Sequence, residues 1–215
     1  MTVLVLGLDT STPAVSVALV DTEGGPLAEC VVVDARRHGE LLAVGIQAVL
    51  RDAGVDRRQL GAIAVGLGPG PFTGLRVGVV TAATLADALR LPAYGACSLD
   101  ALGTGRRVTM TDARRREVYW ARYDESGARV EGPAVARPVD LAQELHGIPV
   151  MGDGALAYAD VLAGLDLEPE PRYPSAAALV DVVRPSLGSP PAPLVPLYLR
   201  RPDAEQPGPP KRVTA

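Results

Sequence analysis

Two kinds of apolar pattern alternate along the first hundred residues. "VLVLGL" (3–8) is continuous and rich in β-branched residues, which predicts a buried strand. "AVSVALV" (14–20) reads as a second strand, with "DTSTP" as the turn between them. "TEGGP" connects to a third strand over Ala28–Val33. From about Gly39 to Ala53 the period changes: Leu42, Ile46, Val49 and Ala53 fall on one helical face, and Gly54 supplies the stop. "AIAVGL" (62–67) is another buried strand. A glycine-rich loop follows it, then a helix from about Thr73 to Leu89 and a strand around "LPAYGA". The order βββαβαβ is that of the ribonuclease H-like fold.

The second half echoes the first more faintly. "RVTMTD" and "EVYWARY" flank "ARRR" as the arms of a hairpin. A strand over Val130–Val135, a short helix from Asp140, strand and turn in "IPVMGDGA", and helices at about 155–164 and 175–184 complete it. The expected class is therefore α/β, with two ribonuclease H-like lobes in an actin-like (ASKHA) arrangement. Residues 1–97 would form the N-terminal lobe and 98–200 the C-terminal lobe. The tail is dense in proline, and residues 201–215 are expected to be disordered. "LVPLYLR" inside it is apolar enough to dock back on the body.

Composition then removes whole mechanisms. The 215 residues are 47% hydrophobic, enough to bury a real core, and carry a formal net charge of −4. That charge argues against a protein gripping nucleic acid through its bulk field. The only lysine is Lys211, so neither a P-loop nor Schiff-base chemistry is available. Cys30 and Cys97 are too few for a disulfide framework. Asp9 interrupts the first apolar run early, no basic segment precedes it, and Val77–Ala86 is short of a membrane span. Cytoplasm is the simple expectation.

The candidate chemistry is thin. Asp9 at the end of strand one and Glu40 opening the first helix are too few carboxylates for a two-metal nuclease. His38 and His146 are isolated, so no metal site is expected, and no G-x-S-x-G elbow exists. Nucleotide binding carries more weight. Asp9-Thr10-Ser11-Thr12 matches the first phosphate loop of actin-like ATPases, "TDARRREVY" lies where the second phosphate hairpin would be, and "GDGA" (152–155) resembles the adenosine turn. An Asx-turn closing the strand explains Asp9, Thr10 and Ser11 equally well.

The loop "GLGPGPFTGLRVG" (66–78) misses G-x-G-x-x-G spacing, and the helix after it is apolar nearly all round. Gly74, Gly78 and Thr81 make a third, small stripe where another backbone could come close. Close packing within the chain and contact with a second chain both fit it. On the second reading, Gly78→Arg would leave a folded monomer that cannot associate.

At this point "LGLDTSTPAVSVAL", "RRHGELL", "GLGPGPFTGLRVG", "DARRREVY" and "PLYLRRPDA" together resemble the bacterial TsaB family, related to the M22 glycoproteases. The resemblance implies a non-catalytic dimerisation subunit of the machinery that forms N6-threonylcarbamoyladenosine in tRNAs reading ANN codons. It implies a TsaD-like catalytic partner carrying a His-x-x-x-His metal site, a TsaE-like P-loop ATPase, a homodimer when TsaD is absent, and tRNA met only through the complex. The helices around 39–53 and 73–90 would form the contact, with Leu42, Ile46, Gly74, Arg76, Gly78, Thr81 and Ala82 as interface residues. Gly68, Gly70, Phe72, Thr73 and Gly74 would form a structural turn. Asp9, Thr10 and Ser11 would be a vestige of the phosphate loop. No cofactor of its own is implied, which leaves the partner interface as the place where a nucleotide could sit. Pro71 departs from the serine of many relatives, costing a hydroxyl and an N–H. The alternative is an actin-class ATP-binding enzyme acting on its own.

Overall fold

A computed structural model describes residues 2–200. The first sheet is built from β1 (Leu4–Asp9), β2 (Ala14–Asp21), β3 (Gly25–Val33), β4 (Ala62–Gly66) and β5 (Ala93–Ala96), in the spatial order β3-β2-β1-β4-β5. β1 pairs antiparallel with β2 and parallel with β4, and β4 pairs parallel with β5. Helices α1 (His38–Asp52) and α2 (Phe72–Leu89) supply the crossovers. The predicted βββαβαβ order holds, with helix bounds within a residue or so of expectation.

The continuous apolar run of β1 exists because both faces of its sheet are covered. On one face Leu6 and Leu8 pack with Leu42 and Val49 of α1 and Leu75, Val79 and Ala82 of α2. On the other, Val5, Ala18 and Ala64 meet Ala176, Val180 and Val183. Those three belong to a late helix, Ala176–Val183, whose start lies so close to β1 that Gly7 has no room for a side chain. Here the expected lobe boundary is corrected. Assigning 98–200 wholly to the second lobe overlooks this helix, which completes the first lobe's core from far along the chain.

The second sheet contains β6 (Arg107–Asp112), β7 (Val118–Tyr123), β8 (Arg129–Ala136) and β9 (Val150–Met151), ordered β8-β7-β6-β9. With the short α3 (Pro138–Leu141) it repeats the first lobe's start in reduced form. The helix expected at 155–164 forms only over Asp153–Ala157, as α4. At Tyr158 the backbone leaves helical geometry, its hydroxyl donates to Asp112 (3.3 Å), and turns carry the chain to Leu167, which bridges to Val150. The Ala176–Val183 helix is α5. Beyond it, Leu197 donates its N–H to the Leu67 carbonyl (2.7 Å), and Leu197 and Leu199 pack beside Tyr119 and Tyr123. "LVPLYLR" thus forms a strap from one lobe to the other, as its apolarity predicts. The tail expectation for 201–215 lies outside the described residues.

Candidate functional site

The carboxyl ends of β1, β4 and β6 face one another across the lobes, where an open α/β sheet places its ligands. From β1, Asp9 enters this region 1% exposed. Its Oδ1 accepts from the Ser11 N–H (2.8 Å) and the Ser11 hydroxyl (2.7 Å), and its Oδ2 accepts from the Ser98 hydroxyl (2.5 Å). Ser98 also accepts from the Gly68 N–H (3.1 Å) and donates its own N–H to the Gly68 carbonyl (2.8 Å). Burial pushes the Asp9 carboxyl above the usual carboxylate range, and the Ser98 and Ser11 hydrogen bonds oppose that rise. The carboxylate is thus committed to holding β1, its turn and the glycine loop together.

Thr10 clamps the same turn to α2. Its hydroxyl donates to the Gly74 carbonyl (2.8 Å) and accepts from the Gly78 N–H (3.0 Å). A Cβ on Gly78 would collide with that hydroxyl, and one on Gly74 would stand 2.9 Å from the Thr10 carbonyl oxygen. Gly70 lies against the Ser11 carbonyl, again with no space for a side chain. The small stripe of α2 therefore faces the chain's own Asp9–Thr12 turn. This corrects the expectation that Gly74 and Gly78 offer themselves to a second chain, and Gly78→Arg is expected to unfold the protein rather than yield a clean monomer.

The other predicted positions divide. Leu42 and Ala82 are buried in the first core, Ile46 and Thr81 are half-buried, and Arg76 is exposed. Phe72 and Thr73 lie exposed where α2 begins. His38 is buried with Nε2 2.9 Å from the Thr12 carbonyl, and His146 is exposed in the second lobe. Among the described residues no group of three or more His, Cys, Asp or Glu side chains could hold a metal ion. The outward surface that the helical pattern did not single out is Val44 on α1 (63% exposed) and Val80 on α2 (60%), with Ala43 and Ala83 also exposed. Isolated exposed valines give no sequence signal, because the same residue type fills the inner face.

From the second lobe come Asp112, ending β6, and the hairpin tip. Arg114, Arg115 and Arg116 have φ of 62°, 55° and 61°, three consecutive non-glycine residues in the left-handed region. Each such residue costs roughly 1–2 kcal/mol. Arg114 pairs with Asp112 at 3.3 Å. Gly152 and Gly154 of the "GDGA" turn press on the Met110 and Thr111 backbone. Between them Asp153 is pushed up to about 6, chiefly by burial. Ser98 and Tyr198 were missed by sequence reasoning: a lone serine and a tail tyrosine carry no motif.

Two ribonuclease H-like lobes, the second reduced, with their strand ends converging on one cleft, define a protein of the actin-like class. The family model described as "TsaD: tRNA N6-adenosine threonylcarbamoyltransferase" matches residues 31–171. A protein of Mycobacterium leprae is 48% identical over 208 residues, covering 94% of this chain, which spans 56% of that relative's length. The Escherichia coli tRNA threonylcarbamoyladenosine biosynthesis protein TsaB is 34% identical over 173 residues, covering 73% of this chain and 74% of its own. YeaZ from Pseudomonas aeruginosa superposes with a TM-score of 0.77 at 29% identity, over 92% of this chain and 100% of that one. The chain belongs to the TsaB family.

Proposed function

We propose that this chain is a non-catalytic, dimerising scaffold subunit in the formation of N6-threonylcarbamoyladenosine in tRNA, working in the cytoplasm beside a TsaD-like catalytic subunit and a TsaE-like ATPase. The carrying observation is the fate of the Asp9–Thr12 turn. Asp9 accepts three internal hydrogen bonds, and the Thr10 hydroxyl is bonded both ways to α2. Groups that would hold magnesium and phosphate instead fix the position of α2. This favours the scaffold over an actin-class ATPase acting alone, and it supports the reading that the chain carries no cofactor of its own.

What α2 is fixed to present is its outer side. Val44, Ala43, Val80 and Ala83 lie outward on two helices that pack side by side on one face of the first sheet. The contact surface is accordingly this outer strip together with Arg76 and the exposed parts of Ile46 and Thr81. It serves the TsaD-like partner, or a second copy when that partner is absent. Gel filtration of the chain with a TsaD-like subunit tests this. Co-elution that Val44→Glu/Val80→Glu abolishes is the expected result; co-elution unchanged by the double variant would place the contact elsewhere.

A further inference from the structure

Beside the Asp9 network, and unused by it, lies a cavity of about 250 Å3 between the lobes. Its walls are the loop entering α2, the β6–β7 hairpin and the strap that ends the described chain. Aromatic surface is the first of its features. Phe72 and Tyr198 are 44% and 43% exposed with ring centroids 5.3 Å apart. The Arg76 guanidinium lies 3.8 Å from the Phe72 centroid and donates from Nε to the Tyr198 hydroxyl (3.0 Å). Charge is the second. Arg114, Arg115 and Arg200 line the cavity, Arg114 paired with Asp112 and Arg200 with Glu117, in a chain whose net charge is −4. The third is the left-handed backbone of Arg114–Arg116. Asn-Gly or Asp-Gly would turn a hairpin with less strain, so arginines held there point to a contact that the turn itself does not need.

Exposed aromatic faces beside clustered guanidinium groups are the chemistry that stacks a base and holds its phosphate. A magnesium-bound triphosphate is not served, because Asp9 is committed and Gly70 closes on the Ser11 carbonyl. The cavity is also smaller than the roughly 300–1,000 Å3 of sites that enclose a whole small ligand. Both points disfavour an enclosed nucleoside triphosphate, and an open, partly walled cavity suits one residue of a polymer held by part of its surface. We propose that this cavity takes one unpaired nucleotide of an RNA, its base against Phe72 and Tyr198 and its phosphate against Arg114 and Arg115. The proposal rests on the scaffold reading for its choice of RNA, and goes beyond it by giving this chain a direct contact with tRNA.

The test is fluorescence anisotropy of an end-labelled, unstructured 12-nucleotide RNA with the full chain at 50 mM salt, using AMP as competitor and circular dichroism as the folding check. Tyr198→Ala and Arg114→Ala/Arg115→Ala are each expected to weaken binding about tenfold. Arg57→Ala/Arg58→Ala, before β4 and so at the opposite end of the first sheet, is expected to leave it unchanged. The proposal is overturned if the wild-type chain does not bind the RNA, or if AMP binds as tightly as the oligomer. It is equally overturned if the cavity variants stay within twofold of wild type, or if the Arg57/Arg58 variant loses as much. Co-elution with the TsaD-like subunit is measured on the same proteins. RNA binding without co-elution contradicts the scaffold reading and upholds the cavity; co-elution without RNA binding contradicts the cavity alone.

Discussion

Gly78→Ala is the smallest change that interrogates the clamp between the Asp9–Thr12 turn and α2. On an isolated helix the substitution would stabilise by about 1 kcal/mol, because alanine exceeds glycine in helix propensity. In this structure the new methyl group would collide with the Thr10 hydroxyl, whose two hydrogen bonds run to the Gly78 N–H and the Gly74 carbonyl. Overpacking costs about 1–3 kcal/mol, and the two hydrogen bonds contribute about 0.5–1.5 kcal/mol each. Net of propensity, a loss of about 1–5 kcal/mol follows, a Tm lower by roughly 2–20 °C for a chain of this size. Thr10→Ala removes the obstacle: the methyl group then meets the residue-10 Cβ at an ordinary 3.5 Å. In that background Gly78→Ala should be neutral or slightly stabilising, giving a coupling energy at least as large as the loss in the wild-type background in the double-mutant cycle. Thermal denaturation followed by circular dichroism measures all four proteins. If Gly78→Ala raises Tm in the wild-type background, or costs the same with and without the Thr10 hydroxyl, the stripe does not face this turn.

Three further outcomes are expected. Val44→Glu/Val80→Glu should change unfolding free energy by no more than about 0.5 kcal/mol per site, since both side chains lie outward, while abolishing co-elution; a large drop in Tm would mean the strip is core. For Asp153, whose native carboxyl is pushed from 3.8 to about 6, the native state holds a proton that the unfolded chain has lost across that window. Stability attributable to it therefore falls as pH rises from about 4 to 6 and stays low above, by about 2–3 kcal/mol. Asp153→Asn should match wild type at pH 4 and exceed it at pH 7.5, and an equal difference at both pH values would refute this. The Cys97 thiol, pushed up to about 12 mainly by burial, should resist iodoacetamide at pH 8 until the protein is unfolded, with mass spectrometry of the labelled peptide as the readout.

The first lobe was legible because its signals are local. Each strand of Leu4–Asp9, Ala14–Asp21 and Ala62–Gly66 is an apolar run ended by turn chemistry, and Gly54 stops α1 where expected. The lobe boundary was not legible, because the fit of α5 against Gly7 joins residues about 170 positions apart, and neither segment marks the other. At the site, the glycines of 66–78 announced a close approach but not its direction. Gly78 on a helix apolar all round is compatible with any neighbour, and only the hydrogen bonds of Thr10 decide for the chain's own turn. Ser98 illustrates the same limit: it completes the Asp9 network from a one-turn 3-10 helix, where a serine has many ordinary uses. What the sequence does settle is narrower: with Lys211 as its only lysine and with His38 and His146 as its only histidines, the chain holds neither a P-loop nor a His-x-x-x-His motif.

On the scaffold reading proposed above, this chain supports threonylcarbamoyl transfer without performing it. The direct measurement is threonylcarbamoyladenosine formed from tRNA, ATP, threonine and bicarbonate by purified components, with the chain present alone, omitted, or combined with the TsaD-like and TsaE-like subunits and the enzyme that makes the threonylcarbamoyl donor. No product is expected from the chain alone, little when it is omitted, full activity when it is restored, and no more than omission gives when Val44→Glu/Val80→Glu replaces it. Product from the chain free of its partners, or equal product whether or not it is present, would refute the scaffold reading.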